Sequence, residues 1–406
     1  MSDAAAGDPP ALILGGPWVW PLSMIRSLGR HGVPLFSTGT AASFVAASRW
    51  HRAAPRAWGE DPTPETLAPY LAALPVGRMV VIPSTDEWAL GVARLPRELA
   101  ARFPSSLPPL DSLEILTDKG RFAATLAELG VPHPRTVCVG PGGDWSRIPD
   151  EAFANAFLKP RNSQAFRRRF GLKALRFGSR AEATALADDA REASLEVMLQ
   201  EYVPGPPTGH YMVEGFVDRA GRVRARFVRQ RLRMFPPDFG DSTCMVGVPV
   251  DRVRRAVEHL DRLLAHLSYR GVFEAEFKHD ERDGEFKLLE VNARPWGFIG
   301  FADACGVDFC GMAYRDALGH TVEAVTTYQV GRRCVVGADR FACWRELRAG
   351  RLTPWASLRS WLGARQLLFA WDDPLPGFAR LLLHLWIVAR RALARIAGRT
   401  GQTSQE

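Results

Sequence analysis

Apolar and polar positions along the chain fall into two rhythms, one of period two and one of period three to four. Residues 11–16 (ALILGG) form a short apolar run stopped by two glycines, which predicts a first strand. Residues 21–32 read as a helix closed by glycine, and residues 33–37 as the next strand. Residues 80–83 are another short strand, followed by Ser84, Thr85, Asp86 and Glu87, which suit a helix N-cap. Strands alternating with helices imply a parallel sheet of α/β type. Further on, Thr117, Asp118 and Lys119 open a helix ending at Gly130, and residues 157–160 (FLKP) are an apolar strand ending in a lysine. Residues 198–205 (MLQEYVPG) are a second apolar strand, stopped by Pro-Gly. Arg222, Arg224 and Arg226 alternate with Val223, Ala225 and Phe227; after a shift in phase, Arg229, Arg231 and Arg233 continue the cationic face. Residues 298–319 carry a helical pattern with a glycine stop at 319. Residues 377–398 carry another, with arginines gathered in its second half, the favourable end for positive charge.

The most informative stretch is 272–297, VFEAEFKHDERDGEFKLLEVNARPWG. Two alternating runs flank the polar turn 280–284, which predicts two antiparallel strands joined by a short loop. Glu290 and Asn292 then point the same way, and a loop of about five residues puts Glu276 opposite Glu290 on that face. Two carboxylates and an amide oxygen are the hard oxygen ligands that Mg²⁺ prefers, with phosphate oxygens and water completing its shell.

This segment is similar to the metal-binding end of ATP-grasp enzymes, particularly carboxylate–amine ligases related to carbamoyl-phosphate synthase and D-aspartate ligase. The resemblance implies that Glu276, Glu290 and Asn292 hold Mg²⁺ (or Mn²⁺) on ATP and that Arg294 neutralises the transferring phosphoryl group. It makes Lys119 and Lys159 phosphate ligands, with Lys173 as a further contact, and residues 161–171 the loop that covers the phosphates. That loop has one glycine and four arginines, where the family is usually rich in glycine and serine. Residues 198–205 resemble the inter-lobe hinge, so Gln200, Glu201, Tyr202 and Val203 line the adenine, with backbone groups of Glu201 and Val203 reading its edge. Residues 206–210 offer no acid for the ribose, a departure that leaves the choice between ATP and GTP open. Arg231 and Arg233 are candidates for a substrate carboxylate.

The implied fold is α/β and α+β: a tail over 1–10, a small parallel-sheet domain over 11–115, a two-lobed ATP-grasp domain over 116–325 with its hinge near 200–205, and a basic helical extension over 326–406. Near Gly16, Trp18 and Asp86 the small domain can border the cleft, although packing is the plainer role for each. The implied activity is Mg²⁺–ATP-dependent joining of a small carboxylate to an amine, or to a thiol. A non-catalytic nucleotide-binding protein of the same fold, or an ATP-grasp enzyme of different chemistry, are the alternatives.

Composition narrows this picture. The chain of 406 residues has formal net charge +8, and of its 52 basic residues five are Lys: 119, 159, 173, 278 and 287. All five lie in the proposed nucleotide-binding region. The charge admits an anionic partner, but no nucleic-acid motif accompanies it and aromatics do not interleave with the arginines. Six cysteines show no zinc or redox spacing, which predicts free thiols in a reducing cytoplasm. The N-terminus lacks the basic and apolar regions of a signal peptide, and no apolar run reaches the ~18 residues of a membrane span. The C-terminal helix is compatible with an anionic membrane interface, with docking on the protein's own surface, or with a second subunit in a homo-oligomer.

Overall fold

A computed structural model describes the chain except residues 1–6, 16–18, 39–42, 57, 59–62, 139–144, 162–165, 167–168, 238 and 401–406. Among the described residues three sheets organise it. The first is parallel, in the order His51–Ala53, Leu35–Ser37, Ala11–Leu14, Val80–Pro83. The helix Val19–Arg30 packs Leu22, Ile25 and Leu28 into the core that also takes Ala11 and Ile13. Each such fully buried Leu or Ile contributes about 1.5–3 kcal/mol relative to exposure. After Val80–Pro83, the Thr85 hydroxyl accepts from the Trp88 N–H and starts the helix Asp86–Ala93.

The second sheet is antiparallel: Thr136–Cys138, Val197–Glu201 and Ala156–Pro160, with the central strand flanked by the other two. Leu158 and Leu199 bury against Ala183, Ala187 and Ala190 of the helix Arg180–Glu192. Small residues at three- and four-residue spacing let that helix lie close to the sheet.

The third sheet has seven strands in the order Phe286–Asn292, Gly271–His279, His210–Val217, Val223–Phe235, Asp241–Val248, Arg333–Val335 and Arg365–Gln366. Its pairs are antiparallel except the last, which is parallel. One face is mainly apolar: Val213, Val228, Phe273, Ala275, Phe277 and Val291 meet Leu260, Leu263 and Leu264 of the helix Arg254–His266, with Arg226 paired to Asp261 at its margin. The other face is divided. Phe216, Ala225, Phe227 and Val272 join the core formed with the first domain and with the helices Ile299–Ala304 and Phe309–Leu318. The remainder carries Glu214, Arg229, Arg231, Glu274, Glu276, Glu290 and Asn292, the candidate site.

Residues 298–319 are thus two helices, not one. They break around Gly306 (φ +102°) and stop at Gly319 (φ +93°), left-handed positions that glycine takes without the Cβ penalty. The C-terminal pattern is one helix, Leu375–Thr400. Its base is tied to the first domain by buried Arg26, which donates to the Asp373 carboxylate (2.9 Å) and to the carbonyls of Leu367, Leu368 and Asp373. Asp373 also accepts from Ser48 and from the Arg49 N–H. The six cysteines are free thiols. Among the described residues no helix is long and apolar enough to cross a membrane.

Candidate active site

The hairpin predicted from alternation forms, and its register pairs Glu276 with Glu290 and Glu274 with Asn292. A bulge between Glu276 and Phe277 shifts the register before the turn, where Gly284 takes φ +75°. All four polar side chains therefore share one face. On Glu276, Arg231 Nη2 (2.9 Å) and His210 Nδ1 (3.0 Å) meet the same oxygen, Oε1. Burial opposes its ionisation, but Arg231 and His210 outweigh that, holding Glu276 well below the usual carboxylate range. His210 is itself lowered to about 4, first by burial and then by Arg231 against the pull of Glu276, so its imidazole is neutral at pH 7.

Asn292 has its orientation dictated from both sides. Its Nδ2 donates to Glu274 Oε2 (2.8 Å), and its Oδ1 accepts from Arg294 Nη2 (3.0 Å). Glu274 is held by Arg229, which also grips Glu214, so one buried guanidinium lies between two buried acids. Burial, followed by the Glu274 charge, raises Glu214 to about 8 against the pull of Arg229. Arg294 donates through Nε to Asp86 Oδ1 (2.9 Å), at the start of the helix that follows the first parallel sheet.

From the opposite side come the lysines. Asp118 caps the helix Lys119–Glu128 by accepting from the Gly120 (2.8 Å) and Arg121 (3.0 Å) N–H groups. This fixes Lys119, whose Nζ donates to the Arg161 carbonyl at 3.4 Å. Burial lowers the Lys119 ammonium, the charge of Lys159 adds to it, and Glu290 and Asp86 oppose it. Lys119, Lys159, Glu290 and Asp86 are therefore electrostatic neighbours. Lys159 Nζ donates to Gln200 Oε1 (3.3 Å), and Gln200 in turn donates to Thr136 (3.1 Å). Two cations and two acids close enough to act on one another can hold a polyphosphate and the cation that accompanies it.

At the predicted hinge, the Glu201 N–H donates to Arg135 O (2.9 Å) and the Tyr202 N–H to Asn155 O (2.7 Å). Among the described residues none accepts from the Val203 N–H, although Val203 is buried. The Glu201 carboxylate accepts from the Arg135 N–H and from Arg282. The Tyr202 ring lies 4.6 Å from the Arg176 guanidinium. Lys278 Nζ bonds the carbonyls of Gly205 (3.0 Å) and Pro206 (2.6 Å), fastening the hinge to the large sheet.

Two candidates lie apart from this group. Arg233 is committed to Asp339, through Nε (2.9 Å) and Nη2 (2.5 Å). Lys173 pairs with Asp241 at the surface. Of the proposed phosphate loop, residues 162–165, 167 and 168 lie outside the described residues, as do Gly16 and Trp18. Arg161 is held by Asp118 and Glu196, and Arg169 by Asp189. The sequence puts Asp86 near the cleft with packing as its plainer role and Arg229 on the cationic face, and it assigns no role to His210, Glu214 or Glu274. The signal was present in HYMVEGFV, where His210 and Glu214 share a face within an otherwise apolar strand.

Residues 195–337, the large sheet with the metal-type hairpin, match a family described as ATP-grasp in the biosynthetic pathway with Ter operon. This segment resembles an ATP-grasp domain. D-aspartate ligase of Enterococcus faecium is 24% identical over 261 residues, 62% of this chain and 61% of that protein, so the match spans about three fifths of the relative's length. The biotin carboxylase domain of Hydrogenobacter thermophilus 2-oxoglutarate carboxylase, solved with MgADP, ADP and bicarbonate, superposes with TM-score 0.63 at 15% identity, covering 80% of this chain and 74% of that one. L-amino acid ligase from Bacillus licheniformis superposes with TM-score 0.55 at 14% identity, covering 77% and 75%. Lys159 lies on the three-stranded sheet, Lys119 at the start of a helix, and Glu276 and Glu290 on the seven-stranded sheet.

Proposed function

We propose that the protein is an Mg²⁺–ATP-dependent ligase that joins a small carboxylate to an amine. The observation that carries this reading is the Glu276–Glu290 register pair with Asn292 beside it, facing Lys119 and Lys159. Glu276, Glu290 and Asn292 fit a hard divalent cation: they supply only oxygen ligands, and Glu276 is held ionised. When bound, Mg²⁺ supplies charge neutralisation between phosphates. Lys119, Lys159 and Arg294 would hold the phosphate oxygens, and Gln200, Glu201, Tyr202 and Val203 would border the base, with the Val203 N–H as the donor still open. Arg231 is the remaining candidate for the substrate carboxylate.

The chemistry balances in two steps. A carboxylate oxygen takes the γ-phosphoryl group of ATP, giving an acyl phosphate and ADP. The amine nitrogen then forms the C–N bond as the C–O bond to phosphate breaks, with a proton lost from nitrogen. Hydroxide is too poor a leaving group for direct condensation. Phosphate is not, so the protein's task is positioning and charge stabilisation. The names of D-aspartate ligase and L-amino acid ligase support amino acids as the substrate class. Cytoplasmic residence, where ATP is made, belongs to the same reading.

The test is Mg²⁺-dependent release of ADP and phosphate from ATP across pools of amino acids and other carboxylates, with Glu290→Gln alongside. Pool-dependent release that falls at least about a hundredfold in the variant is expected. ATP binding without release in any pool would reject ligation in favour of a nucleotide-binding protein.

A further inference from the structure

The apolar surface that the ATP-grasp cleft does not use is concentrated at the C-terminus. Near its start the helix Leu375–Thr400 rests on the body. Phe378 lies edge-on to Phe369 at 5.1 Å, and Arg380 sits over Phe44 at 5.5 Å. Beyond that contact, every residue from Leu381 to Trp386 is exposed, Leu382 to 66% and Trp386 to 56%. Leu375, Phe378, Leu381, Leu382, Leu385 and Trp386 recur at three- and four-residue spacing, so they run along one side of the helix. Trp371, just before it, is 99% exposed.

Charge decides what covers this side. From Leu375 to Thr400 the sequence has no acid and five arginines, at 380, 390, 391, 395 and 399, in a chain of net charge +8. The same helix of a second copy would bring five more arginines and no carboxylate. A lipid surface with anionic headgroups offers both complements in layers: acyl chains for Leu and Phe, the interface for Trp, and negative charge for Arg. Because the helix is not apolar enough to cross a bilayer, it would lie in the plane of one.

We propose that the helix Leu375–Thr400 is a peripheral anchor that lays its Leu375–Trp386 side into the interface of an anionic bilayer. This stands independently of the reaction assigned to the cleft. Asp373, two residues before the helix, is locked to Arg26, so an anchored helix also orients the first domain and the cleft beside it.

The test is co-sedimentation of the full-length protein with vesicles of phosphatidylcholine alone or of phosphatidylcholine with phosphatidylglycerol, at low and high salt. At least tenfold more protein should bind the anionic vesicles at low salt, and the preference should shrink at high salt. The double variant Leu382→Asp, Trp386→Asp should lose that binding at least tenfold while its thermal midpoint and ATP affinity stay unchanged, since both side chains are exposed. Equal binding to both vesicle types, or by both proteins, would overturn the proposal. So would a dimer, seen by sedimentation equilibrium without lipid, that the same double variant abolishes; that result would give the face to a second copy.

Discussion

Arg231 and Arg233 leave the same strand two residues apart, and each meets a carboxylate, Glu276 at 2.9 Å and Asp339 at 2.5 Å. Asp339 is fully buried, and both its oxygens are occupied, by Arg233, Thr243 (2.8 Å), Trp361 (2.9 Å) and the Cys343 thiol (3.3 Å). Glu276 is one fifth exposed, and its two donors share one oxygen. Among the described residues nothing donates to its Oε2. A carboxylate with every lone pair spoken for is architecture. One held ionised with an oxygen to spare is available to a metal ion. The strand thus carries structure and chemistry side by side, separated only by how completely each acid is satisfied.

The sharpest way to break this contrast is to remove each acid in turn. Asp339→Ala leaves Arg233 buried without a counter-charge and should cost about 3–5 kcal/mol, read from urea unfolding. Glu276→Gln should cost less than half as much, yet raise the Mg²⁺ concentration for half-maximal ATP turnover at least about tenfold. Equal losses of stability in the two variants would erase the distinction.

A second effect comes from His210, the other donor to Glu276. Its folded value of about 4 lies below the ~6.5 of an unfolded histidine, because burial penalises the cation. The unfolded chain therefore takes up the proton first. His210 contributes stability that is whole above pH 6.5 and drains away as pH falls towards 4, by up to about 3 kcal/mol. Wild-type urea midpoints should fall across that window, and His210→Gln should flatten the fall; an identical slope in the variant would remove His210 from the account.

The smallest expected effect is at Lys173, whose partner Asp241 is two-thirds exposed. Lys173→Ala should change stability by less than about 1 kcal/mol and leave the KM for ATP within about twofold. A tenfold rise in that KM would return Lys173 to the phosphates.

What the sequence revealed of all this follows the range of the interactions involved. The hairpin of Glu276 and Glu290 was readable because alternation and a polar turn are local signals, and the observed register pairs them as alternation requires. Ala11–Leu14, Leu35–Ser37 and Val80–Pro83 of the parallel sheet are readable as apolar runs. His51–Ala53 was not: its three residues, HRA, hold no alternating apolar pattern, and its pairing depends on Leu35–Ser37 already being in place. The helical run over 298–319 hid its break because a left-handed glycine leaves the apolar spacing on either side intact. Glu214 and His210 stood out within their strand, but their partners come from neighbours in the sheet, and sheet order is not written in any one segment. Asp86 reaches Arg294 across 208 residues of chain.

The lock between Arg26 and Asp373 has a consequence for how the chain is made. The two residues are 347 positions apart, and Arg26 is 3% exposed. At about 5–20 residues per second of synthesis, the nascent first domain must wait roughly 20–70 s for the carboxylate that neutralises this guanidinium. The domain that leaves the ribosome first thus gains one of its last contacts only when residues 367–373 arrive to cover the Arg26 guanidinium.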